Sequence, residues 1–334
     1  MHTLRKPYLI FLGDVTLKSD AKTGFGLRDW CPTDVIGQWA LPQATVSLGL
    51  PVIAPADAAR RGAGSIVVGV APPGGRLPEA WIPTLADALH AGLDVVSGMH
   101  TRLERYPQLV EAARERQARL INVRHADRDW PVGTGLRRSG RRVLTVGTDC
   151  ALGKKYTALA ITRALTARGV KATFRATGQT GILIAGQGVA IDAVVADFIA
   201  GVAETLSPAN DADHWDVVEG QGALFHPAYA GVTLGLLHGS QPDAIVLCHD
   251  PSRQTIEDHP HIALPALDEA IRRYLEAGRL TNPDIRCVGV AINSSSLSLP
   301  EWARYRDQLQ AELQLPVCDP MRGGVESIVQ AMGA

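Results

Sequence analysis

Residues 141 to 169 read RRVLTVGTDCALGKKYTALAITRALTARG. An apolar run, RRVLTVG, leads into a glycine-framed turn and then into KYTALAITRALTARG, whose apolar residues fall at helical spacing before a closing glycine. A strand that passes through such a turn into a helix N-terminus offers several backbone N–H groups and the positive end of the helix dipole to one anion, usually phosphate. The standard phosphate loop is G-x-x-x-x-G-K-[ST], with the lysine on the terminal phosphates and the hydroxyl on magnesium. Here five residues separate Gly147 from Gly153, Lys154 holds the lysine position, and Lys155 stands where the hydroxyl belongs. The phosphate cradle survives and the magnesium ligand is displaced, because Thr157 lies two positions on, about half a turn around the helix. The loop contacts predicted for a phosphate-bearing cofactor are Gly147, Thr148, Asp149, Cys150, Gly153, Lys154, Lys155, Tyr156 and Thr157. Cys150 invites a nucleophile reading, since a helix N-terminus favours thiolate, but no histidine lies near it in sequence and loop filling is the simpler role.

Outward from the loop, strands are predicted at VKATFRATG (170–178), DVVEG (216–220), AIVLCH (244–249) and RCVGVAIN (286–293), with helices near 192–206, 264–277, 300–313 and 323–332. Strand ends in open α/β sheets form the ligand crevice, which draws attention to EGQG after DVVEG, ATGQTG (176–181) and AINSSS (291–296). Gln179, Gln221 and Asn293 suit its polar wall, although ordinary turn chemistry explains such residues nearly as well. Asp192 and Asp197 fall five apart on a predicted helix and diverge by about 140°, so only Asp192 is retained as a metal candidate.

Toward the N-terminus, YLIFLG, SIVVGV (65–70), LDVVSG (93–98) and RLINVR (119–124) alternate with helical segments WIPTLADALHAG and PQLVEAARERQA, a βα pattern that predicts a parallel sheet. Residues 125–140, HADRDWPVGTGLRRSG, lack apolar periodicity and read as a linker. The fold expected is α/β: a Rossmann-like parallel-sheet domain over 1–135 and a P-loop NTPase-like three-layer domain over 136–334. No G-x-G-x-x-G follows YLIFLG, and the proline-interrupted GVAPPGGRLP (69–78) stands where a helix should begin, so NAD is not expected there. Scattered charge, with a net of -1, gives no footprint for a nucleic-acid backbone. About six apolar residues before Asp14 are too few for a signal or spanning segment. Five dispersed cysteines without a CxxC pair argue against disulfides and structural zinc. A cytoplasmic homo-oligomer acting on a small molecule is the resulting expectation.

The GTD loop with five intervening positions resembles dethiobiotin synthetase and its cobyric acid synthetase-like relatives, which also carry a glutamate-glycine motif after a later strand. That resemblance implies that Glu219 ligands magnesium, if ATP is used, or contacts substrate, while Gly220 and Gly222 allow close backbone approach. Over nearly all of the chain, KTGFGLRDWCP (22–32), VVSGMH (95–100), GTDCALGKKYT, VVEGQGALFHP, HGSQPDAIVLCHDP (238–251) and AINSSS resemble a two-domain P-loop family long catalogued as a domain of unknown function. One activity described in that family is N-acetylation of D-glutamate by acetyl-CoA in D-amino-acid catabolism. Acyl transfer to an amine needs a base and oxyanion donors. Glu219, His226 and His100 are the candidate bases, and Lys154 or backbone N–H groups the candidate donors. Lys22 and Arg28 are candidate partners for the acceptor's carboxylates, together with Gly220 at the substrate. The rivals are an ATP- and Mg2+-dependent ligase or kinase of the dethiobiotin synthetase type, weakened by Lys155, and a nucleotide-binding regulatory switch.

Overall fold

A computed structural model describes residues 3–70, 75–125 and 129–334. The chain forms two compact units, Met1–Asp127 with Gly178–Ala193, and Arg128–Thr177 with Val194–Ala334. Among the described residues no helix is long and apolar enough to cross a membrane.

The first unit contains β1 (Tyr8–Phe11), α1 (Lys22–Trp30), β2 (Val35–Trp39), α2 (Pro55–Arg60), β3 (Ser65–Val68), α3 (Ile82–His90), β4 (Asp94–Ser97), α4 (Pro107–Arg116) and β5 (Leu120–Asn122). Its strands pair in the order β2-β1-β3-β4-β5, all parallel. The apolar runs YLIF and SIVV are buried at every position, as strands covered on both faces must be. Prolines in the first turns of α3 and α4 suit helix starts, where their missing N–H has no partner to lose. KTGFGLRDW forms helix α1; Gly24 N donates to Gly69 O at 2.7 Å, an approach that a side chain at either position would obstruct.

The second unit opens with β6 (Arg141–Gly147), α5 (Lys154–Ala167) and β7 (Ala172–Arg175); α6 (Gln179–Ala185) then belongs to the first unit. The chain returns through α7 (Ile199–Leu206), β8 (Trp215–Val218), α8 (Ala230–Ser240), β9 (Ala244–His249), a hairpin of β10 (Thr255–Ile256) and β11 (His259–Ala263), α9 (Leu267–Gly278), β12 (Arg286–Ile292), α10 (Leu299–Leu313), β13 (Val317–Cys318) and α11 (Glu326–Met332). The parallel order is β13-β12-β9-β6-β8-β7, with the loop strand β6 near the centre. Alternate residues Ala244, Val246 and Cys248 join Ala158, Ile161 and Leu165 of α5 and Ile328 and Val329 of α11 in one core, while Ile245 and Leu247 are buried on the opposite face.

Two expectations change. The helix predicted near 192–206 begins only at Ile199: two short 3-10 turns, Ile191–Ala193 and Ala196–Phe198, precede it, separated by an extended Val195. Asp192 and Asp197 therefore share no helix, and Asp192 accepts a hydrogen bond from Arg124 at 2.8 Å. From residue 129 the linker is fastened to the second unit. Glu204 accepts Thr134 N and Gly135 N at 2.9 and 2.8 Å, and Arg138 donates to Ser207 O and Gly239 O at 2.9 and 2.7 Å.

Trp81 is 1% exposed, meets Phe11 edge-on at 5.5 Å and donates its indole N–H to Asp14 at 2.9 Å. Trp81→Ala is expected to destabilise the first unit by about 3–5 kcal/mol in chemical denaturation followed by circular dichroism. A loss below about 1 kcal/mol would show that Trp81 is not central to this core.

Candidate functional site

The loop between β6 and α5 lies at the carboxyl edge of the second sheet. Ala151 and Gly153 adopt left-handed backbone conformations, with φ of 54° and 104°, and Gly153 brings no side-chain cap to α5. The positive end of a 14-residue helix therefore faces the turn. Lys154 folds back, with Nζ donating to Asp149 O at 2.7 Å; its burial lowers its pKa below the ordinary lysine value. Tyr274, fully buried, donates its hydroxyl to Gly147 O at 2.8 Å and accepts Leu224 N at 2.9 Å. Thr148 pairs its hydroxyl with His249 Nδ1 at 2.9 Å.

Asp149 is an internal brace. Its buried carboxylate accepts Cys150 N at 2.7 Å, Glu257 N at 2.8 Å and the Arg253 guanidinium at 2.9 Å, and Arg253 also donates to Cys150 O at 3.0 Å. The β10–β11 hairpin and the segment leading into it are thereby tied to the loop. The Thr157 hydroxyl donates to Gly153 O at 3.1 Å and accepts from Cys248 Sγ at 3.5 Å, so it points into the helix and core. Lys155 lies with Nζ 4.5 Å from the Tyr156 ring centre.

At the adjoining end of β8, the buried Glu219 accepts Thr177 N at 2.9 Å, and its own carbonyl accepts the Thr177 hydroxyl at 2.5 Å. Gly220 N donates to Thr145 Oγ1 at 3.0 Å, and a Cβ there would lie 1.7 Å from Thr145 O and 3.1 Å from Lys154 Cδ, so only glycine fits beside the loop. Gln221 O accepts the Thr233 hydroxyl at 2.8 Å. Buried His226 accepts Ala228 N on Nδ1 at 3.1 Å, which places the neutral ring's proton on Nε2 and makes it a donor. Donor atoms of Asp149, Cys150 and His226 lie within 4.8 Å of one another, a proximity hidden by 75 intervening positions between Cys150 and His226. The group suits a metal poorly, because Arg253 already neutralises Asp149 and metal-bound histidine normally donates through its second nitrogen. Burial pushes the Cys150 thiol pKa up, consistent with a loop-filling thiol.

Asn293 donates to Asp250 at 3.0 Å at the ends of β12 and β9. His249, Asp250, Arg253 and Tyr274 did not emerge from the sequence. The first two end the apolar run AIVLC beside Gly147 and could have been found by the strand-end rule, whereas Arg253 and Tyr274 carry no local signal.

Four candidates belong to the first unit. Lys22 is exposed at the start of α1. Arg28 donates to Asp29 at 2.6 Å and Leu48 O at 3.1 Å and lies 4.9 Å from the Phe25 ring centre, so its guanidinium is engaged in holding α1. His100 is exposed, its backbone N–H donating to Gly75 O at 2.8 Å. Gln179 opens α6 and packs on Gly98, where a Cβ would meet its Oε1 at 2.0 Å. The loop, Glu219, Gly220, Gln221, His226 and Asn293 assemble in the second unit.

A family model described as the P-loop domain DUF1611_C matches residues 131–329, and one described as the Rossmann-like domain DUF1611_N matches 36–126. The chain belongs to the DUF1611 family. A D-glutamate N-acetyltransferase of Pseudoalteromonas sp is 43% identical over 326 residues, 98% of each chain. One of Tritonibacter scottomollicae is 44% identical over 331 residues, 99% of each. The crystal structure of a DUF1611 family protein from Anabaena variabilis ATCC 29413 superposes with a TM-score of 0.88 at 32% identity, covering 98% of this chain and all of that one. The resemblance read from GTDCALGKKYT and VVEGQG, and the two-domain α/β architecture, agree with these matches.

Burial lowers the His249 pKa from 6.5 to about 4, the nearby Asp250 opposing the shift. Between those values the unfolded chain binds a proton that the folded one refuses, so stability falls as pH drops from 6.5 toward 4, by about 3 kcal/mol at most. His249→Gln, which can still bond Thr148, is expected to flatten this slope in urea unfolding across that range. A slope equal to the unsubstituted protein's would mean that His249 is not its source.

Proposed function

We propose that this DUF1611 protein transfers the acetyl group of acetyl-CoA to the amine of an acidic amino acid, D-glutamate, in cytoplasmic D-amino-acid catabolism. The observation that carries this reading is its likeness, over nearly the full length of both chains, to two relatives named for that activity. The loop supports it independently. Coenzyme A bears a diphosphate and a ribose phosphate, and the backbone N–H groups at the head of α5 with Lys154 suit a phosphate held without magnesium. The residue chemistry disfavours an ATP ligase, because Lys155 replaces the metal-binding hydroxyl and Thr157 is committed to Gly153 O.

In the reaction the acceptor's ammonium loses a proton to a base, the free amine attacks the thioester carbonyl, and the C–N bond forms as the C–S bond breaks. The developing oxyanion requires positioned donors, and coenzyme A leaves as a thiolate that takes up the second proton shed by the attacking nitrogen as the amide forms. His226 is a donor by its Nδ1 bond, which leaves Glu219 and His100 as the candidate bases. Lys154 meets phosphate charge, and Gly220 keeps the β8 turn close to it.

Incubation with acetyl-CoA and D-glutamate is expected to release free thiol and N-acetyl-D-glutamate, unaffected by EDTA. ADP formation from ATP with no thiol release would instead establish the ligase. Lys154→Ala is expected to weaken acetyl-CoA binding in calorimetry at least tenfold, about 1.4 kcal/mol; unchanged affinity would remove the loop from the cofactor site.

A further inference from the structure

Coenzyme A carries its phosphates a full pantetheine arm away from its thioester, so the residues that hold phosphate and those that hold an acceptor are separate sets. Within the first unit, a groove of about 940 Å3 lies between the segment leading into α3 and the start of α4. Its walls are apolar, from Leu77, Ile82 and Pro107, and three charged side chains line it: Arg76, Glu79 and Arg105. All three are solvent-accessible, and among the described residues none has an ion-pair partner or side-chain hydrogen bond, whereas Arg28 is engaged with Asp29 and Leu48. The groove is braced from beneath, with the Tyr106 hydroxyl donating to Leu77 O at 2.6 Å and Leu77 N donating to Thr101 Oγ1 at 3.4 Å. His100 adjoins it, since its ring packs on Gly75 beside Arg76.

We propose that this groove is the binding site for the acidic amino-acid acceptor. Resting on the acetyl-transfer reading, the assignment follows from matched charge. An acidic amino acid presents two carboxylates and one ammonium, and the groove presents two guanidiniums and one carboxylate. Arg76 and Arg105 take the carboxylates, each able to offer two parallel N–H donors, and Glu79 takes the ammonium. The starts of α3 and α4, both at the carboxyl edge of their parallel strands, add positive potential to the groove. Such a site separates acidic from neutral amino acids, because a neutral side chain leaves one guanidinium unpaired.

The test is steady-state kinetics on Arg76→Gln and Arg105→Gln, paired with calorimetry. Each variant is expected to raise KM for D-glutamate at least tenfold while leaving acetyl-CoA affinity and the unfolding midpoint unchanged. Arg105→Lys, which keeps the charge but loses the fork, is expected to recover only part of the loss. An unchanged KM in an active enzyme would overturn the groove and leave the acetyl-transfer reading standing. A parallel loss of acetyl-CoA affinity would assign the arginines to the coenzyme and equally overturn it. Should the unsubstituted protein transfer no acetyl group, D-glutamate titrated alone still decides: binding abolished by both substitutions supports the site, and no binding refutes it.

Discussion

One buried carboxylate holds the anion loop in shape. Asp149 accepts the backbone of the next residue, the backbone of Glu257 and the guanidinium of Arg253, while its own carbonyl accepts Lys154 Nζ. A turn that carries two left-handed residues and aims several N–H groups at one point is unfavourable unless something satisfies it from behind. Asp149 does this without occupying the front of the loop, where α5 begins uncapped. The chemistry of the second unit depends on that division: protein acceptors stabilise the back of the turn, and the helix N-terminus stays open to a ligand.

The surrounding strand ends follow from the same arrangement. Glu219 is aimed by Thr177, Gly220 lets β8 pass within contact of Lys154, and Tyr274 reaches from α9 to the carbonyl of Gly147. Parallel strands bring these ends to one edge although they lie far apart in sequence. His249 is held neutral in this setting by burial, so the loop strand's neighbour presents a hydrogen-bonding ring without a competing charge.

What could be read from sequence was whatever local pattern controls. The βα alternation, the loop and the EGQG turn depend on short-range apolar spacing and on glycine, and they were legible. Helix α8 was not, because AGVTLGLLHGS carries glycines at 231, 235 and 239 and lacks a polar face to reveal its period. The placement of Gln179 with the first unit was equally hidden, since contacts such as that between Thr23 and Thr180, 3.1 Å apart, join segments 157 positions apart. Arg28, a carboxylate candidate through the family resemblance, bonds Asp29 and Leu48 O, while Arg76 and Arg105 drew no notice because nothing in their neighbours distinguishes them from ordinary surface arginines.

The central claim is that this loop carries coenzyme A. A crystal structure of the protein with coenzyme A tests it most directly. The expected result is the diphosphate seated on the backbone N–H groups at the head of α5, with Lys154 Nζ turned from Asp149 O toward a phosphate oxygen and no metal between them. Coenzyme A bound elsewhere, with the Lys154 to Asp149 bond intact, would contradict the account.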